Sequence, residues 1–228
     1  MLWQAEAYVG PPPAKRHVKS SQANATPATD GTTIVAVFPG GLAAFDGNGR
    51  LLWKSDLGRL NPGLFGDATS EWGHGSSPVI AEGRRELVVV GGYYVRSYDP
   101  QDGRELWRFK DEAEVKTPSP FASDGLIVFA GGYRGRPLYA IRSGAAGDVS
   151  VAEGVPSGPF LAWRTEPGGP YTVTPLAYRG RLRHGRARVR HPRHRQPHAL
   201  RAHAGASLRD RRRGAEGRGV AAGGGCSG

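Results

Sequence analysis

The sequence predicts an all-β protein built from repeated units of four short strands, and three observations support that fold class. An apolar run rich in β-branched residues or leucine recurs along the chain, and such a run suits a strand buried on both faces. A hairpin pattern that ends in Trp recurs as well, most clearly over Tyr94–Trp107. A hydroxyl residue followed by Pro recurs at Thr26, Ser77, Ser119 and Thr174, so that the prolines lie 51, 42 and 55 residues apart. A period of about 50 residues is typical of β-propeller blades.

The four predicted strands of each unit follow a fixed order. The Pro-containing strand comes first, the apolar strand second, and the two strands of the hairpin follow. The first hairpin ends at Trp53 and the second at Trp107. The third begins at Leu138 and reaches Trp163 only after a long loop rich in Gly, Ala and Ser. Because one small twisted sheet cannot bury both of its faces, we expect neighbouring blades to stack, with Trp filling the wedge between them.

The hairpin turns carry an Asp and a Gly at related positions. Glycine suits a positive φ in such a turn, and an Asp side chain accepts hydrogen bonds from the turn backbone. We expect these residues and the tryptophans to serve packing and turn geometry. The predicted structural repeat positions are Asp46, Gly49, Trp53, Asp99, Gly103, Trp107 and Trp163.

The stretch Ser97–Trp107 resembles the repeat of the PQQ-like (quinoprotein-type, pyrrolo-quinoline quinone repeat) β-propeller family, whose pattern is A-x-D-x-x-T-G-x-x-x-W. Asp99, Gly103 and Trp107 match that pattern. Ser97 stands in place of its Ala, and Asp102 stands in place of its Thr. The positions that match are those expected to shape the turn and the blade contact.

The resemblance covers about three blades, over residues 26–182. Residues 44–53 repeat the pattern with one residue fewer before the Gly, and the Ser/Thr-Pro strands recur at matching offsets. Members of the family form propellers of six to eight blades. The resemblance therefore implies an incomplete propeller, and we expect its open blade edges to self-associate.

The family contains two functional classes, and the resemblance leaves both open. Some members are alcohol or glucose dehydrogenases that bind PQQ and calcium. Others, including an outer-membrane assembly lipoprotein, bind no quinone and act as scaffolds. The chain has one cysteine, Cys226, and therefore lacks the vicinal cysteine pair that many of the dehydrogenases carry over the quinone.

No cluster of Asp, Glu and Asn in the sequence maps onto the calcium and base positions of the dehydrogenases. We therefore predict a non-catalytic binding or assembly scaffold, without catalytic, cofactor-binding or metal-binding residues. The alternative is a fragment of a PQQ-dependent quinoprotein oxidoreductase, and only under that alternative would PQQ with calcium be the cofactor.

The segment Arg59–Gly75 is a long insertion rich in Gly and Pro. Loops of this length are more often functional or disordered than neutral. It contains Trp72 and His74, two weak candidates for a binding site, although a single His is more often a hydrogen-bonding loop residue. We expect a protein partner or a small ligand to bind over the blade loops. The acidic run Asp111–Glu114 is expected to be a solvated loop between blades.

The positive charge of the chain is concentrated near its end. The net charge is +11, yet residues 1–182 hold 19 Lys and Arg against 18 Asp and Glu. Residues 183–228 hold 12 Arg against two acidic residues, and no aromatic residue follows Tyr178. Such a segment cannot bury enough apolar surface to fold alone, and we predict a disordered tail.

Three interpretations of residues 183–228 stay open. Because GC-rich codons encode Arg, Ala, Gly and Pro, we favour the hypothesis that the tail is an out-of-frame product that replaces an expected apolar strand. A solvated tail is the second interpretation. Binding to nucleic acid, or to a metal through five histidines, is the least favoured, because the tail has no aromatic residue to stack on bases and its His spacing is irregular.

The sequence therefore predicts three regions: the end of a preceding blade and a linker over residues 1–25, the blades over 26–182, and the tail over 183–228. Leu2 and Trp3 resemble the end of a repeat hairpin. No signal-peptide pattern is visible, and no apolar stretch is long enough to span a bilayer. The family resemblance implies a periplasmic or cell-envelope location.

Overall fold

The computed structural model describes most of the chain up to Arg183. The described residues are 2–12, 17–18, 21–38, 40–58, 60, 73–81, 84–111, 113–133, 135–178, 181–183 and 201–202. Within these ranges the structure is all-β, which confirms the predicted fold class. None of the described segments forms a helix that could cross a membrane. Trp72 and nearly all of the predicted tail lie outside the described residues.

Three sheets, each with four antiparallel strands in the predicted order, confirm the predicted blades. Blade 1 contains β1 (Ala28–Thr29), β2 (Thr33–Phe38), β3 (Gly41–Asp46) and β4 (Leu51–Asp56). Blade 2 contains β5 (Val79–Ala81), β6 (Glu86–Val90), β7 (Tyr94–Tyr98) and β8 (Glu105–Lys110). Blade 3 contains β9 (Phe121–Ser123), β10 (Leu126–Ala130), β11 (Leu138–Arg142) and β13 (Leu161–Thr165). In each blade the Ser/Thr-Pro strand pairs with the apolar strand, and the hairpin that contains the Trp strand follows.

The sequence does not predict the parallel strand pairs of the structure. The strand β12 (Gly147–Asp148) lies in the long loop before Trp163 and pairs in parallel with β8, as a fifth strand on the outer edge of blade 2.

A further sheet follows blade 3. In it, β14 (Leu176–Tyr178) pairs with β15 (Arg181–Arg183) in antiparallel fashion. The short strand β16 (Arg201–Ala202) pairs in parallel with β15.

The apolar strand of blade 2 shows why neighbouring blades stack. All five residues of β6 are buried. Leu87 and Val89 pack with residues of blade 1, whereas Val88 and Val90 pack with residues of blade 3. Successive side chains of a strand point to opposite faces, and one strand therefore contributes to two cores. Each such side chain contributes roughly 1.5–3 kcal/mol when it is buried, and β6 gains this stabilisation on both faces only with both neighbours in place.

Several loops, both within and between blades, lie at the same end of the blades. The first strand of blade 2, β5, contacts both β1 and β9, and these first strands form the inner side of the array. The antiparallel registers place the β2–β3, β6–β7 and β10–β11 turns at the same end as the connections between blades. We call this end the upper face, and it comprises residues 40, 57–58, 60, 73–78, 91–93, 111, 113–120, 131–133, 135–137 and 166–175.

Candidate binding face

The tryptophan of blade 1 lies against the hairpin turn of blade 2. This tryptophan is Trp53, and its indole Nε1 donates a hydrogen bond to the carbonyl oxygen of Pro100 at 2.9 Å. Gly103, at a φ of 76°, leaves room for the indole, because a Cβ there would lie 2.6 Å from the ring. Trp3 makes the same arrangement one unit earlier, since it donates to the backbone of the blade 1 turn at 3.0 Å and packs on Gly49. These contacts join successive units on the outer side.

The shared pattern of the two turns depends on Asp46 and Asp99. Oδ1 of Asp46 accepts hydrogen bonds from the backbone of Asn48 at 2.9 Å and of Arg50 at 3.0 Å. Oδ1 of Asp99 accepts a hydrogen bond from the backbone of Gln101 at 2.9 Å. The hydrogen bond from the Arg50 backbone is the main cause that lowers the pKa of Asp46. Both carboxylates are therefore engaged in turn geometry.

Trp107 departs from the arrangement of Trp53. Its Nε1 donates to Oε2 of Glu86 at 2.6 Å, inside its own blade, and Oγ of Ser97 donates to the same oxygen at 2.7 Å. All three residues are completely buried. The two hydrogen bonds compensate part of the cost of burying the carboxylate. Trp163 is half-buried and packs on a core cluster of its own blade.

Three exposed tyrosines stand on the upper face, on the β6–β7, β10–β11 and β13–β14 connections. Tyr93 is 49% exposed, and Tyr133 and Tyr171 are each 41% exposed. The ring centroids of Tyr133 and Tyr171 lie 5.4 Å apart. The sequence analysis did not single these tyrosines out, although a signal was present. Each follows a glycine pair, as GGY at 91–93, GGY at 131–133 and GGPY at 168–171.

A buried ion pair lies beneath the turn that carries Tyr93. Nζ of Lys116 donates to the carbonyl oxygens of Gly92 and Asp111, at 2.5 and 2.6 Å, and lies 3.3 Å from Oδ2 of Asp111. Burial lowers the pKa of Lys116, and the Asp111 carboxylate opposes that shift. The prediction of a solvated acidic loop is wrong for Asp111, which is 3% exposed. The sequence pattern could not reveal this, because Lys116 meets the carboxylate only after the chain folds back on itself.

The same carboxylate connects blade 2 to blade 3. The hydroxyl of Tyr139 donates to Oδ1 of Asp111 at 3.2 Å. Burial, reinforced by the charge of Asp111, raises the pKa of Tyr139. The ring of Tyr139 lies 4.9 Å from that of Phe109, centroid to centroid, and the guanidinium carbon of Arg164 lies 5.6 Å from the Tyr139 centroid. Aromatic contacts and a hydrogen bond to a charged carboxylate therefore join blades 2 and 3 beneath the upper face.

His74 is on the upper face and is half-buried, with a buried Nε2 atom that has no hydrogen-bond partner among the described residues. Burial lowers the pKa of His74 to about 4, and a hydrogen bond to the Ser76 backbone opposes that shift. The imidazole is therefore neutral at pH 7. Trp72, the other predicted binding residue, lies outside the described residues. A binding role for the two residues stays a prediction.

A cavity of about 640 Å³ opens between blades 2 and 3. It is lined by aromatic side chains of both blades and by the loop after β12, including Val151. Three of its charged groups are already paired, because Asp111 is paired with Lys116, and Arg164 and Glu166 are paired with each other. Such paired charges have little capacity left for a charged ligand, and we assign no ligand to the cavity.

The described residues do not fit the calcium site that the PQQ-binding class would need. Calcium takes six to eight oxygen ligands, several of them carboxylates. No three His, Cys, Asp or Glu side chains converge within the described part of the chain. The carboxylate of Asp111 is engaged by Lys116 and Tyr139. No described residue is therefore assigned to PQQ or to calcium.

The repeat positions lie within a segment that matches a known family. The PQQ repeat model described as outer membrane protein assembly factor BamB matches residues 39–145, a little under half of the chain. Residues 39–145 form a PQQ-type propeller segment. This confirms the family resemblance of the hairpin motif. No curated protein matches the chain by sequence.

Solved structures similar to this chain include two natural proteins and a designed one. BamB from Moraxella catarrhalis is 15% identical with a TM-score of 0.46, over 69% of this chain and 41% of that one. A europium-containing methanol dehydrogenase is 16% identical with a TM-score of 0.43, over 68% of this chain and 27% of that one. The computationally designed Ika4 protein is 17% identical with a TM-score of 0.36, over 60% and 78%. The chain thus spans less than half the length of the first two proteins.

Proposed function

We propose that this PQQ-type chain is a non-catalytic scaffold that binds a partner protein through the upper face. The observation that carries the proposal is the set of exposed tyrosines on that face, Tyr93, Tyr133 and Tyr171. Tyrosine is enriched at protein interfaces, because it buries a large area and offers a hydroxyl at a small cost in conformational entropy. A partner that covers these rings would remove apolar surface that the chain alone leaves in water.

The backbone beneath the tyrosines is held in place, which favours binding. The Gly92 carbonyl, next to Tyr93, accepts a hydrogen bond from buried Lys116 at 2.5 Å. The backbone N–H of Tyr133 donates to the carbonyl oxygen of Glu114 at 2.8 Å. A surface that is ordered before it meets its partner loses less entropy on binding. This support argues for a preformed protein-binding face.

The family description adds a compartment to the proposal. The matched family model is described as an outer membrane protein assembly factor. We infer a scaffold of the cell envelope, with a protein as the partner and without a nucleic-acid role. The domain boundaries at residues 25 and 182 stay predictions under this proposal.

The outer edge of blade 1 supports the predicted self-association. Leu51 and Leu52 of β4 are 45% and 38% exposed. The corresponding edge of blade 2 is covered by β12, whereas no strand among the described residues pairs with the outer edge of β4. An open strand edge with apolar side chains is a template for pairing with another chain. We infer that β4 is the edge through which copies of this chain associate.

Site-specific photo-crosslinking tests the proposed face. A photoreactive phenylalanine analogue is placed at Tyr133 or at Tyr171 in the full chain, and cells that express the protein are irradiated. The proposal predicts one discrete adduct that forms from both positions, because the two rings lie together. Identification of the adduct by mass spectrometry gives the partner.

The matched control uses the opposite end of the blades. The same analogue at Asn48 or Gln101, which are exposed on hairpin turns away from the upper face, is expected to give no such adduct. An adduct of equal yield from both ends, or none from the upper face, would contradict the proposal.

A further inference from the structure

The Ser/Thr-Pro repeats are connected to one another by hydrogen bonds across the blade boundaries. The backbone N–H of Thr26 donates to Oγ of Ser77 at 2.9 Å. The N–H of Ser77 donates to Oγ of Ser119 at 2.9 Å. The N–H of Ser119 donates to Oγ1 of Thr174 at 3.1 Å. One hydroxyl residue in each unit is thus linked to the equivalent residue of the next unit.

The position of these residues in the strands is the same in every unit. Each hydroxyl residue lies two positions before the first strand of its blade, β1, β5, β9 or β14. The proline that follows restricts the hydroxyl residue to an extended backbone conformation. The proline thus limits the backbone conformations of the donor residue, and the hydroxyl of the equivalent residue in the next unit accepts the bond. The same hydroxyl-Pro pair therefore makes the same hydrogen bond at all three blade boundaries.

The inner links complement the tryptophan contacts on the outer side. Between blades 1 and 2 the inner link from Thr26 is accompanied by the outer contact of Trp53 with Pro100. Between blades 2 and 3 the outer indole, Trp107, bonds within its own blade instead. At that boundary a second inner bond is present, from Oγ of Ser76 to the carbonyl oxygen of Pro118 at 3.1 Å.

We propose that the hydroxyls of Ser77, Ser119 and Thr174 form an inter-blade seam, in which each of the three fixes the register of its blade against the preceding one. Under this proposal the hydroxyl-Pro pair is a positioning motif. Its proline orients the donor, and its hydroxyl is the acceptor for the neighbour. The choice between Ser and Thr is neutral, since both occur in the four units. The proposal concerns blade assembly and does not depend on the proposed binding function.

Amide hydrogen exchange measured residue by residue tests the seam in the full chain. Ser119→Ala removes the acceptor of the Ser77 N–H and leaves the Ser119 backbone donor in place. A net hydrogen bond of this kind corresponds to about a tenfold change in protection. We expect the Ser77 amide to exchange about tenfold faster in S119A, whereas the Thr26 amide, whose acceptor is Ser77, keeps its protection. Ser119→Thr restores an acceptor and should keep wild-type exchange at Ser77.

Ser123→Ala is the matched control in the same blade. The hydroxyl of Ser123 donates to the carboxylate of the adjacent Asp124 and makes no link between blades. Its removal should leave the Ser77 amide unchanged. Unchanged protection of Ser77 in S119A, or an equal loss of protection in S123A, would overturn the proposal.

A second variant covers the case in which S119A fails to fold. Thr174 is exposed, and Thr174→Val removes its hydroxyl at nearly constant volume. The Ser119 amide is expected to exchange about tenfold faster in T174V and normally in T174S. Equal exchange of the Ser119 amide in these two variants would overturn the proposal.

Discussion

Trp53 and Trp107 occupy the same position of the repeat and make different hydrogen bonds. The difference lies in two other residues of blade 2. Glu86 opens β6, where Thr33 opens β2, and Ser97 pairs with Val88 where Ala44 pairs with Val35. Glu86 and Ser97 thus form a polar set with Trp107 that blade 1 lacks. The departure of Ser97 from the Ala of the family pattern has a structural reason, because its hydroxyl donates to Glu86.

We expect Ser97 and Glu86 to be energetically coupled. Ser97→Ala alone should lower the free energy of unfolding by roughly 1–2 kcal/mol, since a buried carboxylate loses a donor. In a background that carries Glu86→Thr, the same substitution should cost close to nothing. Urea unfolding of the four proteins gives the coupling energy. Additive effects would contradict the account of the polar set.

The contact between Gly103 and Trp53 can be separated from the cost of a positive φ. Gly103 and Gly125 have φ angles of 76° and 72°, but only at Gly103 would a Cβ meet a side chain, the Trp53 ring at 2.6 Å. Gly125→Ala should cost about 1 kcal/mol from backbone strain. Gly103→Ala should cost about 2–4 kcal/mol, because steric overlap is added. Equal shifts of the urea midpoint in the two variants would show that the indole contact contributes nothing.

We expect His74 to make folding sensitive to mild acid. An unfolded His takes up a proton near pH 6.5, whereas the folded chain holds the pKa of His74 at about 4. The unfolded state therefore binds more protons between these values, and stability falls as the pH drops through that window. We expect the wild type to lose roughly 1–2 kcal/mol between pH 7 and pH 5. His74→Gln should flatten this dependence, and the same slope in both proteins would contradict it.

At the scale of the elements, the strands that are regular in sequence were predicted and the strands that depend on distant partners were not. The apolar runs and the Trp hairpins predicted the four strands of each blade, because local pattern and burial on both faces agree. The strand β12 carries no such pattern, since Gly147 and Asp148 form a strand only where β8 offers an open edge. Glu86 escaped prediction for the same reason, because its partners Ser97 and Trp107 lie on other strands.

The β12 loop covers the outer edge of blade 2, and one of its side chains forms a hydrogen bond with that edge. Oγ of Ser150 accepts a hydrogen bond from the backbone N–H of Lys110 at 2.8 Å. Ser150→Ala should speed hydrogen exchange at the Lys110 amide by roughly tenfold without a change in the rest of β8. Ser157→Ala, an exposed serine of the same loop, is the control and should leave that amide unchanged. Unaltered exchange in S150A would mean that the loop does not seal the edge.

At the scale of the whole molecule, the repeat predicted the fold but not the binding face. Packing and turn positions recur because every blade needs them, whereas a binding surface needs residues only where the partner touches. The tyrosines after the glycine pairs are an intermediate case, since they recur and yet stay exposed. Their exposure became visible only when the antiparallel registers placed the three connections at one end of the blades.

We propose that this array of blades serves as a binding scaffold and not as a quinone enzyme. The most direct test is a titration of the full chain with PQQ and Ca²⁺, followed by absorbance and by equilibrium dialysis, beside a PQQ-dependent dehydrogenase as the positive control. The account predicts no saturable quinone binding to this chain. Saturable binding of about one quinone per chain that requires Ca²⁺ would contradict it and would favour the oxidoreductase alternative.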